Sequence, residues 1–197
     1  ESGSFIVELE LITGSSLMEE KVHTRGFSKH SGEYTDIFNT LKEGYEESYY
    51  IIGEGGKGTV PAFLVQYREN DWSFIKRIAA LKQTVVMPDY QSKGVKYFFG
   101  MPKRESKVLT SGDVRIVVNK EYTVYEVKSR EIHSLGDRVS FNRRDYRIVK
   151  IVSKTEGSEL YHTYYLTQDI DYIVKKESKY DLKVIGASLY AKVTNVE

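Results

Sequence analysis

Tyr67-Arg68-Glu69-Asn70-Asp71-Trp72-Ser73-Phe74-Ile75-Lys76-Arg77-Ile78-Ala79 changes its hydrophobic period midway, and that change decides the fold class. Val60 to Tyr67 reads as a strand, with Pro61 near its start where a missing donor does least harm. From Trp72 the spacing turns helical. Trp72, Ile75, Ile78 and Ala79, joined by Phe74, predict a helix over 72–81 with one buried face and with Lys76, Arg77 and Lys82 in water. Asn70 or Asp71 supplies its N-cap, because a short side-chain oxygen there satisfies an orphan backbone N–H.

The same reading extends in both directions. Downstream, Val85–Met87 and Lys96–Phe99 flank a loop with Pro88, Asp89 and Gly94, and read as a hairpin packed on that helix. Upstream, Tyr34, Ile37, Phe38, Leu41 and Tyr45 form the stripe of a first amphipathic helix, starting at Ser31-Gly32 and stopping at Gly44. Ser48–Ile52 is a short β-prone run, and Gly53-Glu54-Gly55-Gly56-Lys57-Gly58 is expected to be the loosest loop of the chain. Nearer the amino end, Phe5 to Leu11 alternates as a half-buried strand, and Glu20 to Phe27 reads as a second, more polar one.

After Met101-Pro102 the helical period does not return. Val114–Val118, Tyr122–Ser129, Arg138–Phe141, Tyr146–Val152 and Leu160–Thr167 are all β-type, with turn signals at Gly136-Asp137, Asn142-Arg143 and Glu156-Gly157. A charged stretch, Asp169 to Asp181, precedes a last run, Val184–Val193. Short, regularly spaced strands indicate a small barrel or sandwich. The expected class is therefore α+β, mainly β, an α/β segment with two amphipathic helices followed by a small barrel or sandwich; small β-barrel domains on either side of that segment are what the resemblance described below implies.

Composition narrows the functions. Among 197 residues, 29 basic and 28 acidic side chains leave a net charge of +1, without the basic surplus on which nucleic-acid binding usually rests. Cys is absent, which removes disulfides, thiolate nucleophiles and Cys-held metals. No apolar run approaches the ~20 residues of a membrane span, so stable membrane insertion is not expected. The 16 tyrosines suit sheets and half-buried surfaces. The first residue is Glu1, not Met, which suggests a processed or truncated chain.

Candidate chemistry is sparse. Lys57 follows a Gly-rich stretch but is itself followed by Gly58 and a strand, where a phosphate loop requires Ser or Thr and a helix. His23, His30, His133 and His162 have no metal-ligand spacing, and the pairs Glu19-Glu20, Glu46-Glu47 and Asp169/Asp171 fall in polar segments. Tyr161, Tyr164, Tyr165 and Tyr172 imitate a base-stacking platform, but Glu159, Asp169 and Asp171 beside them repel phosphate; cross-strand packing explains them better. No catalytic residue, cofactor or metal is expected. The alternative carried forward is a secreted carbohydrate-binding or glycan-cleaving module using surface Tyr and a carboxylate pair.

The opening segment resembles a recurring signature of contractile-tail hub proteins: a strand, then Glu-x-Asp, an aromatic, Phe-Ile, and Arg-Ile-Ala. The hairpin after it ends in Tyr97-Phe98-Phe99-Gly100, as that family's does. Arg25-Gly26-Phe27-Ser28, ahead of the helix with Asp36-Ile37-Phe38, is similar to the family's Arg-x-Phe-Gln element, with Ser28 in place of Gln. Leu135-Gly136-Asp137-Arg138-Val139-Ser140-Phe141 with His162-Thr163-Tyr164-Tyr165-Leu166 resembles the second hub barrel. Lys183-Val184-Ile185-Gly186-Ala187 resembles the start of the barrel leading to the spike.

That family comprises phage baseplate hubs of the late control protein D type, prophage tails among them, and the hub region of VgrG spikes of type VI secretion. The resemblance implies a structural protein and not an enzyme: a homotrimer that adapts the hexameric tail tube to the trimeric spike. Its partners are then its own copies and tube, spike and baseplate proteins, with no nucleic acid. It is made in the bacterial cytoplasm and assembled into a tail or injection particle. The implied organisation is closing strands of a first barrel at 1–30, an α/β middle segment at 31–110, a second barrel at 111–177, and the start of a further small barrel at 178–197. The residues it singles out are scaffold: Asp71 to cap the second helix, Trp72, Phe74, Ile75 and Ile78 to bury it, and Gly136 and Asp137 to shape a barrel turn.

Overall fold

The computed structural model describes residues 10–28, 32–61, 63–110, 113–118, 123–169, 174, 185–186 and 188. The expected strand at 5–11 therefore lies mostly outside the described residues; Glu10 and Leu11, which are described, are not in a strand. The expected run at 184–193 and nearly all of the segment 178–197 also lie outside them. A 3₁₀ turn, Gly14–Glu19, comes first. Then follow β1 (Val22–Phe27), α1 (Tyr34–Lys42), β2 (Tyr49–Ile52), β3 (Leu64–Asn70), α2 (Asp71–Leu81), β4 (Val86–Pro88) and β5 (Lys96–Phe99). The rest is strand: β6 (Lys107–Val108), β7 (Val114–Val118), β8 (Thr123–Ser129), β9 (Arg138–Phe141), β10 (Arg144–Glu156) and β11 (Glu159–Thr167). The described chain is mainly β, with several sheets and two α-helices.

α2 forms as its periodicity requires, and Trp72, Phe74, Ile75, Ile78 and Ala79 are all buried. Phe74 stacks on Phe27 of β1 with ring centroids 5.4 Å apart, and Trp72 meets Tyr97 of β5 edge-on at 5.9 Å. Arg77 departs from its expected place in water. It is buried at 8% exposure, its guanidinium lies over the Phe74 ring, and Nε and Nη2 donate to the Glu69 carboxylate. An arginine whose charge is paired and whose plane stacks on an aromatic tolerates such burial.

α1 starts at Glu33, not at the expected Ser31-Gly32. The Asp36 carboxylate accepts from the Glu33 N–H at 2.9 Å while the Glu33 side chain accepts from the backbone of Asp36, a reciprocal capping box built from two carboxylates. Ile37, Phe38 and Leu41 face inward. Phe38 packs on Phe99 at 4.6 Å and edge-on to Tyr50 and Tyr97, so both helices press on the same small sheet.

That sheet has the order β2-β5-β4. β4 and β5 pair as the expected hairpin, but β2 joins β5 in parallel, Tyr49 opposite Lys96 and Ile52 opposite Phe99. The glycine loop after β2 is the reverse of loose. Gly53 N–H donates to Phe99 O at 2.8 Å and Glu54 exchanges backbone bonds with Met101. A Cβ on Gly53 would lie 2.2 Å from Met101 O, and one on Gly56 would lie 2.1 Å from Phe99 O. These glycines are present so that two backbones can touch.

β1 and β3 form a two-stranded ribbon, and β3 begins at Leu64 where the sequence reading placed a strand from Val60. The remaining six strands make one sheet in the order β6-β9-β10-β11-β8-β7. Two-residue turns set its register: Asn142 and Arg143 both have positive φ between β9 and β10, and Gly157 does so between β10 and β11. Val127, Val139, Ile148, Tyr164 and Leu166 form its core. Among the described residues this sheet is open, with β6 and β7 as its edges; the sequence reading expected a small barrel or sandwich, and a closed barrel, which the resemblance implies, is not formed among them.

Replacing Gly53 by Ala is expected to cost about 2 kcal/mol or more in urea unfolding, since the new methyl meets a backbone carbonyl that cannot move aside. Gly44→Ala, with its nearest contact at 3.5 Å and no positive φ, is expected to change stability by less than about 0.5 kcal/mol.

Candidate functional site

Two buried carboxylates organise the polar interior, and both were singled out by sequence. Asp71 is fully buried in the first turn of α2, where the helix dipole favours a negative charge. It does not cap the helix. The cap is Asn70, whose Oδ1 accepts from Ser73 N–H at 2.8 Å. Ser, Thr, Asn and Asp serve as caps and acidic residues also favour the first turn, so Asn70-Asp71 fits two registers by residue type alone.

The chain converges on Asp71 from three other elements. Arg25 of β1 donates to Oδ1 at 2.9 Å, Gln66 of β3 donates to the same oxygen at 2.7 Å, and the Tyr45 hydroxyl donates to Oδ2 at 2.8 Å. His23 Nε2 stands 3.8 Å from Oδ2. Gln66 is itself fully buried and also donates to Glu69 O, so both amide hydrogens are used. A bulge delivers these groups: Tyr67 and Arg68 together face Thr24, with Arg68 at φ 45°, and this turns Glu69 toward Arg77 and brings Asp71 back over β1. Burial first, and then the bond and charge of Asp71, push the Tyr45 phenol well above the usual tyrosine value.

Asp137 is the second centre. It follows Gly136, whose φ of 81° makes the turn, and its Oδ2 accepts from Ser134 N–H at 2.9 Å. Arg104 donates to Oδ1 at 2.5 Å and Lys107 stands 3.8 Å from Oδ2. A Cβ on Gly136 would lie 2.9 Å from Met87 Cε and 3.1 Å from Pro102, so the turn is pressed against the α/β segment. Beside it, buried Arg147 donates to Pro102 O, Gly136 O and, at 2.5 Å, the Glu54 carboxylate. Arg138 approaches the same carboxylate at 3.9 Å. These contacts tie the six-stranded sheet to the glycine crossing of the small sheet.

The other sequence candidates do not converge. His162 pairs with Ser153 at 2.7 Å, His133 is buried against Tyr164 and hydrogen-bonds Glu131, and His30 lies outside the described residues. Among the described residues no three metal-ligating side chains gather. Tyr164 is a core residue whose hydroxyl links Glu131 O to His133 N–H. Tyr161 lines an open groove of about 460 Å³ with Asp113, Lys128, Arg130 and Glu131. Its ring is already occupied by Lys128, 4.5 Å from the centroid, and by Arg130. The Glu131 carboxylate is tied to Thr110 N–H and His133; although burial opposes its charge, these bonds hold its pKa below the usual carboxylate value. Both the aromatic and the acid are thus engaged in structure.

Compared with protein-family models, curated proteins and solved structures, the chain matches none.

Two measurements test the Asp71 centre. Asp71→Ala leaves Arg25, Gln66 and Tyr45 without their acceptor and is expected to cost about 3 kcal/mol, against about 1 kcal/mol for Asn70→Ala. For pH, a phenol whose folded value lies above its unfolded value of about 10 gives stability that is whole below pH 10 and is lost as pH rises beyond it. Tyr45→Phe is therefore expected to be destabilising at pH 8, with the gap to the parent protein narrowing above pH 10 in denaturant titrations.

Proposed function

We propose that this chain is a structural component of a contractile injection machine, a baseplate hub that adapts the hexameric tail tube to the trimeric spike. The observation that carries this reading is the order of elements around the opening motif. An Arg-x-Phe strand and a helix precede a strand that runs directly into Glu-x-Asp-Trp-x-Phe-Ile, and a hairpin ending in Tyr-Phe-Phe-Gly follows. Each motif residue has a packing task that suits a scaffold. Arg25 and Asp71 pair across elements, Phe27 and Phe74 stack, and Phe99 receives both α1 and the glycine crossing.

On this reading the six-stranded sheet is the described part of a small barrel, and its open edges meet other chains in the assembled hub. The partners are further copies of the chain and tube, spike and baseplate proteins. On this reading the chain works as scaffold and not as an enzyme, and the two buried carboxylates, each held by internal donors, serve to fix the fold.

Deleting the parent gene from its bacterium tests this. The expected outcome, by electron microscopy of induced or secreting cultures, is loss of complete tails or injection particles, with restoration by the parent gene and not by a copy carrying Asp71→Ala. Intact particles in the deletion strain would sink the reading. Glycan-array binding that depends on Tyr161 would favour the carbohydrate module in its place.

A further inference from the structure

Glu131 lies in the loop after β8, and its carboxylate reaches across to the chain just beyond β6. Oε2 accepts from Thr110 N–H at 3.2 Å and stands 3.2 Å from His133 Nε2. An ionised carboxylate only accepts, so the imidazole proton of that contact sits on Nε2. The surrounding bonds hold this acid in place. Glu131 N–H donates to Ser129 Oγ, whose own proton goes to Thr110 O, and the Tyr164 hydroxyl donates to Glu131 O while accepting from His133 N–H. Thr110 follows Leu109, which is buried in the core of the six-stranded sheet and donates its N–H to Ser140 O of β9.

The two contacts on the carboxylate differ from the rest because they respond to acid. A hydrogen bond to an ionised acceptor is about twice as strong as a neutral one, so a proton on Glu131 weakens both contacts at once. The His133 side chain is sealed against Tyr164 at 5% exposure, while that of Glu131 is 42% exposed and lines the groove. Asp113, Lys128, Arg130 and Tyr161 share that groove. Lys128 is paired with Glu156 and Arg130 with Glu159. The Tyr164 phenol, raised chiefly by burial and also by the charges of Glu131, Tyr90 and Asp137, stays neutral throughout the acid range.

We propose that Glu131 is an acid-opened clasp, which when ionised pins Thr110 to the loop after β8 and when protonated lets Thr110 go. The direction follows from its surroundings. Burial opposes the charge of Glu131, but the bonds from His133 and Thr110 outweigh it and hold the acid below the usual carboxylate value. A carboxyl held below its unfolded value of about 4.3 gives stability that is whole above that pH and is lost as pH falls through the folded value. The clasp is therefore shut at neutral pH and opens in acid. A proton on His133 Nδ1 places a positive charge beside Glu131 and tightens the contact, so only the proton on the carboxylate opens it. The clasp does not depend on the hub reading.

Amide hydrogen exchange of the full chain, followed by NMR from neutral pH down to about pH 3, tests this. The protection factor of the Thr110 N–H is expected to fall about threefold or more, in a step centred below about pH 4.3, while the Val127 and Leu166 amides of the same sheet stay protected. Glu131→Gln keeps an acceptor for Thr110 but no charge, and is expected to lower Thr110 protection at neutral pH and to abolish the acid step. An acid step that survives in Glu131→Gln overturns the proposal. So does Thr110 protection that is level across the range, or that falls only together with Val127 and Leu166.

Discussion

A carboxylate sealed inside a protein must be compensated by donors, and the α/β segment is arranged around that requirement at Asp71. Leaving such a charge unpaired costs several kcal/mol, so the fold holds only when β1, β3 and the turn after α1 all reach the same point. Arg25, Gln66 and Tyr45 come from positions 46, 5 and 26 residues away from Asp71. The bulge in β3 follows from this need, since a regular ladder would not bring the residues after Arg68 around onto α2. The apolar contacts of Phe27, Phe74 and Trp72 supply most of the driving force, and the Asp71 cluster selects the one arrangement in which they meet.

The joint between the small sheet and the six-stranded sheet obeys a similar rule. Arg147 is buried with two carbonyls and the Glu54 carboxylate as acceptors, and Glu54 is held by its backbone bonds to Met101. The glycines at 53 and 56 permit the close crossing that puts Glu54 there, and Gly136 permits the Asp137 turn to rest on Met87 and Pro102. Backbone approach and charge pairing are thus two halves of one contact. Met87, Met101 and Leu135 pack around it as a small apolar cluster.

What was legible in the sequence is what short-range physics determines. α2, the β4–β5 hairpin and the turns at Gly136, Asn142 and Gly157 depend on periodicity and backbone preference within a few residues, and each appears where those signals stand. The misreadings share a different cause. Arg77 looked wet because its partners Glu69 and Phe74 become neighbours of its guanidinium only once β3 and α2 pack. The glycine run looked loose because the strand end it docks on lies some forty residues further on. The parallel join of β2 to β5 and the two-residue β6 carry no local mark at all. At the buried centre, the importance of Asp71 was readable but its role was not, because the cap and the first turn favour overlapping residue types.

The two ends of the structure contrast in how they treat polar groups. Inside, Asp71 is held by donors from β1, β3 and the turn after α1, Asp137 by Arg104 and by the Ser134 N–H of its own turn, and Tyr161 and Glu131 at the groove are likewise engaged. At the rim, among the described residues, no strand pairs with the outer side of β7, and all five of its residues are exposed. Exposed edges invite uncontrolled association, which natural sheets avoid with charges or Pro. β7 carries neither Lys nor Pro, and its one charge, Arg115, stands 4.0 Å from Glu126 of the same sheet.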